Sequence, residues 1–153
     1  MPSNTYSFID VEAAISGPGG SFGLSNGAGP SEEGITITQT DDRTSMVIGA
    51  DGSGMHSLHA GRSGTVTVRL LKTSPVNQML MDMYNFQASS SANTGQNLIS
   101  LRNIQSGDVV RASQAAFRRA PDLSYAKDGN TVEWSWNAVT IDYKLGNGQP
   151  AAL

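Results

Sequence analysis

Thr65 to Leu71 (TVTVRLL) alternates apolar and polar residues, and residues 131 to 143 (TVEWSWNAVTIDY) sustain that alternation over a longer run. A period of two puts one set of side chains on each face of an extended strand, so these runs commit the chain to a half-buried sheet. Val66, Val68 and Leu70 share one face of the first run, and Val132, Trp134, Trp136 and Ala138 one face of the second. In the second run the apolar parity then moves to Val139, Ile141 and Tyr143, which predicts a bulge or a change of buried side near Ala138.

Shorter runs extend the pattern. Tyr6 to Ile15 alternates, with Ile9, Val11, Ala13 and Ile15 together. Residues 16–30 (SGPGGSFGLSNGAGP) hold six glycines and two prolines and are expected to be a long loop. Glu32–Thr40 and Arg43–Ala50 read as two strands joined at Asp41-Asp42 in a hairpin. Asp51 to Gly54 breaks the second strand, and residues 55–64 read as a further extended connection. Asn97–Asn103 and Asp108–Arg118 form a hairpin about Ser106-Gly107.

One window breaks the period of two. Ser74-Pro75 is a helix start, because Ser accepts from free amides and Pro lacks a donor there. Val76, Met79, Leu80, Met83 and Tyr84 then follow at helical spacing, a stripe that fills a core against a sheet. The expected architecture is mainly β: about seven strands in a small sandwich or open barrel with one flanking helix, a single domain over residues 1–146 and a flexible tail over 147–153.

Composition excludes several function classes. Among 153 residues there is no cysteine, which removes disulfides, thiolate metal sites and cysteine nucleophiles. The net charge of −3 argues against a surface built to grip nucleic acid. That charge is uneven: residues 1–60 carry seven acids and only Arg43, whereas residues 61–120 carry seven bases and two acids. Two faces of opposite sign suit association of one copy with the next. Asp10 and Glu12 interrupt any secretory signal, and no stretch approaches the roughly 18 apolar residues of a membrane span. The expected site of synthesis and assembly is the cytoplasm.

The search for chemistry returns nothing convincing. Ser124 to Lys127 (SYAK) has a Ser–Lys spacing used by acyl-transfer enzymes, but it lies between a proline and an Asp-Gly turn with no companion motif. His56 and His59 would share a metal only on a helix, and two ligands are too few. The acid pairs Glu32-Glu33 and Asp41-Asp42 point to opposite faces of a strand. No catalytic residue, cofactor or metal is assigned. Trp134, Trp136 and Tyr143 leave a glycan- or host-surface-binding β-module as a reading from a different class.

Several ordered stretches carry a resemblance: YSFIDVEAAISGPGGSF at 6–22, EEGITI at 32–37, MVIGADGSGMHSLHAGRSGTVTVRLLKTSP at 46–75, and APDLSYAKDG at 120–129 followed by VEWSW. Together they resemble the tail tube proteins of contractile-tailed bacteriophages. The resemblance implies a ring-forming β-barrel-like fold. It also implies homo-hexameric rings stacked into a hollow tube, inside a contractile sheath, through which phage DNA passes without specific binding. The implied partners are the tail sheath protein, the tape measure protein, the baseplate hub and the tail terminator. The implied location is the virion, assembled in the host cytoplasm. A tube subunit of a related phage-tail-like injection machine is the nearest alternative.

On this reading the loops at 16–31 and 50–64 are contacts between copies, with Phe22, Leu24, Glu32, Glu33, Met55, His56, His59 and Arg62 as the contact residues. Deleting residues 18–28 is then expected to leave a folded monomer that forms no long tubes. A polar strand face, from hairpins at 32–50 and 97–118, is expected to line the channel. Arg102, Arg111 and Arg118 would pair with acids on the adjacent subunit.

Overall fold

The computed structural model describes residues 5–24 and 30–146, with residues 30–33 as backbone alone. The expected tail at 147–153 lies outside the described residues. After a short 3-10 turn at Phe8–Asp10, the chain forms β1 (Val11–Gly17), β2 (Gly20–Gly23), β3 (Pro30–Gln39), β4 (Thr44–Ile48), β5 (Gly54–Leu58) and β6 (Gly64–Leu71). Helix α1 (Val76–Ala88) precedes β7 (Asn97–Asn103), β8 (Asp108–Phe117) and β9 (Thr131–Lys144). Seven strands make one antiparallel sheet in the order β2-β1-β7-β8-β9-β6-β3, and β4 and β5 pair separately.

The alternating residues build the core. Val66, Val68 and Leu70 of β6 meet Trp136, Trp134 and Val132 of β9 across the ladder, and all six are buried. Phe117 closes on this cluster, its ring centroid 5.2 Å from Trp136 and 6.0 Å from Trp134, with Tyr84 of α1 edge-on at 5.6 Å. The helix seats Val76, Leu80 and Met83 in the core. Ser74 accepts the Val76 N–H at 3.3 Å, as its place before the helix predicts. Met79, expected in the stripe, is 41% exposed, and the position that completes the buried face is Gln87.

Gln87 is buried because its amide is satisfied. It donates to Asn97 Oδ1 at 2.7 Å and to the Pro18 carbonyl at 2.9 Å, and accepts from Asn97 Nδ2 at 2.8 Å. This amide clasp ties the end of α1 to β7 and to the β1–β2 turn, and buried polar groups are stable inside a core only when paired in this way.

The predicted parity change in β9 is present only at Ile141: Ala138 and Ile141, three residues apart, are both buried, whereas Val139 and Tyr143, expected on the same side as Ile141, are exposed. Strand β8 changes with it, since Ala112 opposes Ile141 and Ala115 opposes Ala138, so the register is the same on both sides of the position of Gln114 and Val139. The irregularity falls between β7 and β8, where Gln114 has φ of 52°.

Two connections differ from expectation. The glycine-rich stretch is a loop only in part: β1 runs on to Gly17 and turns back into β2, with Gly17 opposite Gly20. Gly19, at φ of 99°, supplies the left-handed backbone that so tight a reversal needs. The expected hairpin of 32–40 with 43–50 does not form. Strand β3 pairs with β6, and β4 pairs with β5. The break expected at Asp51 to Gly54 falls in a hairpin turn over residues 49–53, between β4 and β5. Gly49 N–H donates to Ser53 O at 2.7 Å, Gly52 N–H to Gly49 O at 3.0 Å, and Gly52 has φ of 91°.

Candidate assembly surface

Strands β4 and β5 continue the line of β3 and β6 beyond the sheet. Thr40 N–H donates to Ser63 O at 3.0 Å and His59 N–H to Arg43 O at 2.7 Å, which carries the pairing across the junction. The Arg43 guanidinium donates to the carbonyls of Gly61 at 3.1 Å and Ala60 at 3.5 Å, bracing the root. The result is a two-stranded arm held at one end.

Met46, Val47, Ile48, Met55 and Leu58 on this arm are all more than half exposed. The cross-strand pairs Met46–His56 and Val47–Met55 fall on alternate faces, so both faces are apolar. A hairpin that leaves its apolar side chains in water has little of its own to hold it, and contiguous exposed apolar surface marks a place of association. At the tip, Asp51 accepts the Ser53 hydroxyl at 2.6 Å and the Ser53 N–H at 3.0 Å. These two bonds hold the Asp51 carboxyl below its ordinary pKa and keep it charged.

The proposed contact residues separate into groups. Met55 and His56 lie on β5, and His59 at its end bonds through Nε2 to Ser45 Oγ at 3.2 Å. Three residues apart on an extended segment, the two imidazoles cannot share the face a helix would give them. Arg62, at the root, pairs with Asp142 at 3.0 Å. Phe22 packs partly against the core and Leu24 is fully buried in it. Leu24 N–H also donates to Ala13 O at 2.8 Å, so excising residues 18–28 removes a strand and a core side chain, contrary to the expectation that the monomer would stay intact. Glu32 and Glu33 fall on β3, their side chains outside the described part.

Other candidates are placed elsewhere. Ser124 accepts through its carbonyl from Lys72 Nζ, whose charge sits 3.7 Å from the Tyr125 ring centroid. Trp134 and Trp136 are 1% and 0% exposed, which removes them as a sugar platform. Arg102 is paired with Glu12 of its own chain at 2.5 Å rather than awaiting a neighbour. Among the described residues there is no group of three or more His, Cys, Asp and Glu that could hold a metal, and no helix long and apolar enough to cross a membrane. Sequence reading did not single out Met46, Val47, Ile48 and Leu58, which the structure leaves exposed on the arm beside Met55. Their signal was legible, since two apolar runs flank the turn-forming GADGSG.

A packed antiparallel sheet thus carries an arm whose apolar side chains none of the described residues covers. The chain belongs to the family described as Bacteriophage PhiTE tail tube protein, which matches residues 3–146. It is a phage tail tube subunit, a component of the virion tail in a non-enzymatic family. No curated protein matches the sequence. Three solved structures share the fold at low identity. The sheath-tube complex of the extracellular contractile injection system PVC, in its extended state, matches at TM-score 0.52 and 14% identity, covering 87% of this chain and 88% of that one. The anti-feeding prophage cap matches at 0.50 and 11%, covering 95% and 96%. The anti-feeding prophage baseplate matches at 0.53 and 10%, covering 94% of each.

Proposed function

We propose that this chain, as one folded unit over residues 1–146, forms homo-hexameric rings that stack into the conduit for phage DNA inside a contractile sheath. The observation that carries the reading is the β4–β5 arm, whose apolar faces none of the described residues covers. Closing a ring and stacking it would cover such surface and pair the open sheet edges β2 and β3. Met55, His56, His59 and Arg62 are the proposed contacts between copies, and Phe22, Leu24, Glu32 and Glu33 belong to the edge strands and connection beside them. The sheath, the tape measure protein, the baseplate hub and the tail terminator are the proposed partners.

The polar face of the sheet is the proposed channel wall. Glu12 neutralises Arg102 and Asp142 neutralises Arg62 on that face, which limits the free positive charge offered to passing phosphates. The test is electron microscopy of the purified protein, concentrated at near-physiological salt and with baseplate added. Six-fold rings or hollow tubes are expected; a persistent monomer under both conditions would refute the reading.

A further inference from the structure

The arm and one long loop leave the sheet at opposite ends of the same strands. Gly64 opposes Ala138 where the arm begins, and Leu71 opposes Thr131 at the other end, seven residues on. At about 3.3 Å per residue this is a separation of roughly 23 Å. Beyond that second end lies the segment 118–130, which joins β8 to β9.

This segment has its own exposed apolar residues. Leu123 is 55% exposed and Tyr125 is 84% exposed. Tyr125 is held, because Lys72 both donates to the neighbouring Ser124 carbonyl and sits against the Tyr125 ring. The cation fixes the ring while leaving most of it open, and an open aromatic face is a good receiver for methionine sulfur. The two ends also differ in charge. Residues 41–58 of the arm and its root carry Asp41, Asp42 and Asp51 against Arg43, whose guanidinium is turned onto the Ala60 and Gly61 carbonyls. The opposite end carries Lys72, Arg118, Arg119 and Lys127 against Asp122 and Asp128.

We propose that the 118–130 loop is the receiving surface for the arm of a second copy of this chain in the next ring. Met46 or Met55 lies against Tyr125 and Leu123, and the Asp51 carboxylate meets the basic cluster. A repeating head-to-tail contact requires two different, complementary surfaces at opposite ends of the subunit, and these two meet that requirement in polarity and in charge. This inference rests on the tube reading above, which names no receiving surface.

The chain's lack of cysteine makes the test direct. Tubes are assembled from the double variant Ala50→Cys/Ser124→Cys and treated with a mild oxidant. A ladder of cross-linked chains is expected, absent from each single variant and from Ala50→Cys/Gln105→Cys, in which both thiols lie at the arm end. Tubes that give no ladder with the first pair, or one with the Gln105 pair, would overturn the docking and leave the tube reading standing. Wild-type protein that forms no tubes with or without baseplate would overturn both. Charge reversal supplies a second readout: Asp51→Lys and Lys127→Glu should each slow tube growth by about tenfold, and the double variant should recover it. Equal, unrelieved loss in the double variant counts against the contact.

Discussion

The β6–β9 ladder and the β4–β5 arm are made of the same kind of pairing, yet one places every second residue in the core and the other places none there. In β6, Gly64, Val66, Val68 and Leu70 are buried in strict alternation; in β4 all five residues are exposed. Apolar content does not make that difference, since β4 carries Met46, Val47 and Ile48 in a row and still buries none of them. What differs is the surroundings: β6 has the tryptophans of β9 beside it and the buried side chains of α1 in the same core, whereas none of the described residues covers the arm. Backbone pairing forms a strand, but a second surface is needed to make its side chains stabilising.

The comparison breaks most readily in the core. Trp136→Ala removes a fully buried ring and should cost about 3–5 kcal/mol, measured by denaturant unfolding of the monomer. Asn97→Ala comes next. It leaves the buried Gln87 amide without its reciprocal partner, at about 1–3 kcal/mol. The triple arm variant Met46→Ser, Ile48→Ser, Met55→Ser should move monomer stability by no more than about 0.5 kcal/mol per site while abolishing tubes in the microscope. A loss of monomer stability as large as that of Trp136→Ala would show that the arm packs on its own chain.

The smallest effect sharpens the picture of the tip. Asp51 has its folded pKa lowered by Ser53, so the contribution of its bonds is present above the unfolded value and is lost as pH falls through the lowered folded one. The Ser53 amide resonance should therefore titrate below the ordinary aspartate range, and Ser53→Ala should return the Asp51 midpoint upward. With the carboxylate fully exposed, global unfolding should not follow this titration.

Much of the sheet was legible in advance. Alternation assigned the inward residues of β1, of β6 and of β9 as far as Ala138, the Ser74-Pro75 start placed α1, and of Val139, Ile141 and Tyr143, grouped after the change of parity, only Ile141 is buried. The errors share one cause. Residues 32–50 were read as a hairpin because the runs are neighbours in sequence, and residues 16–30 as a loop because glycine is common in loops. In fact β3 crosses to β6, and Gly19 serves a turn that returns Leu24 to the core. The arm was half visible for the same reason: GADGSG announces a turn, but nothing local says whether the strands beside it are covered.

The sequence by itself determined which residues are extended, which are helical and which side of each strand is apolar, because these follow from backbone sterics and from periods of two and 3.6 residues. Only the tertiary structure decided which strand lies beside which, that Gln87 and Asn97 could be buried together, and that the arm stands clear of the sheet. Those outcomes depend on groups distant along the chain meeting in space, so no local period encodes them.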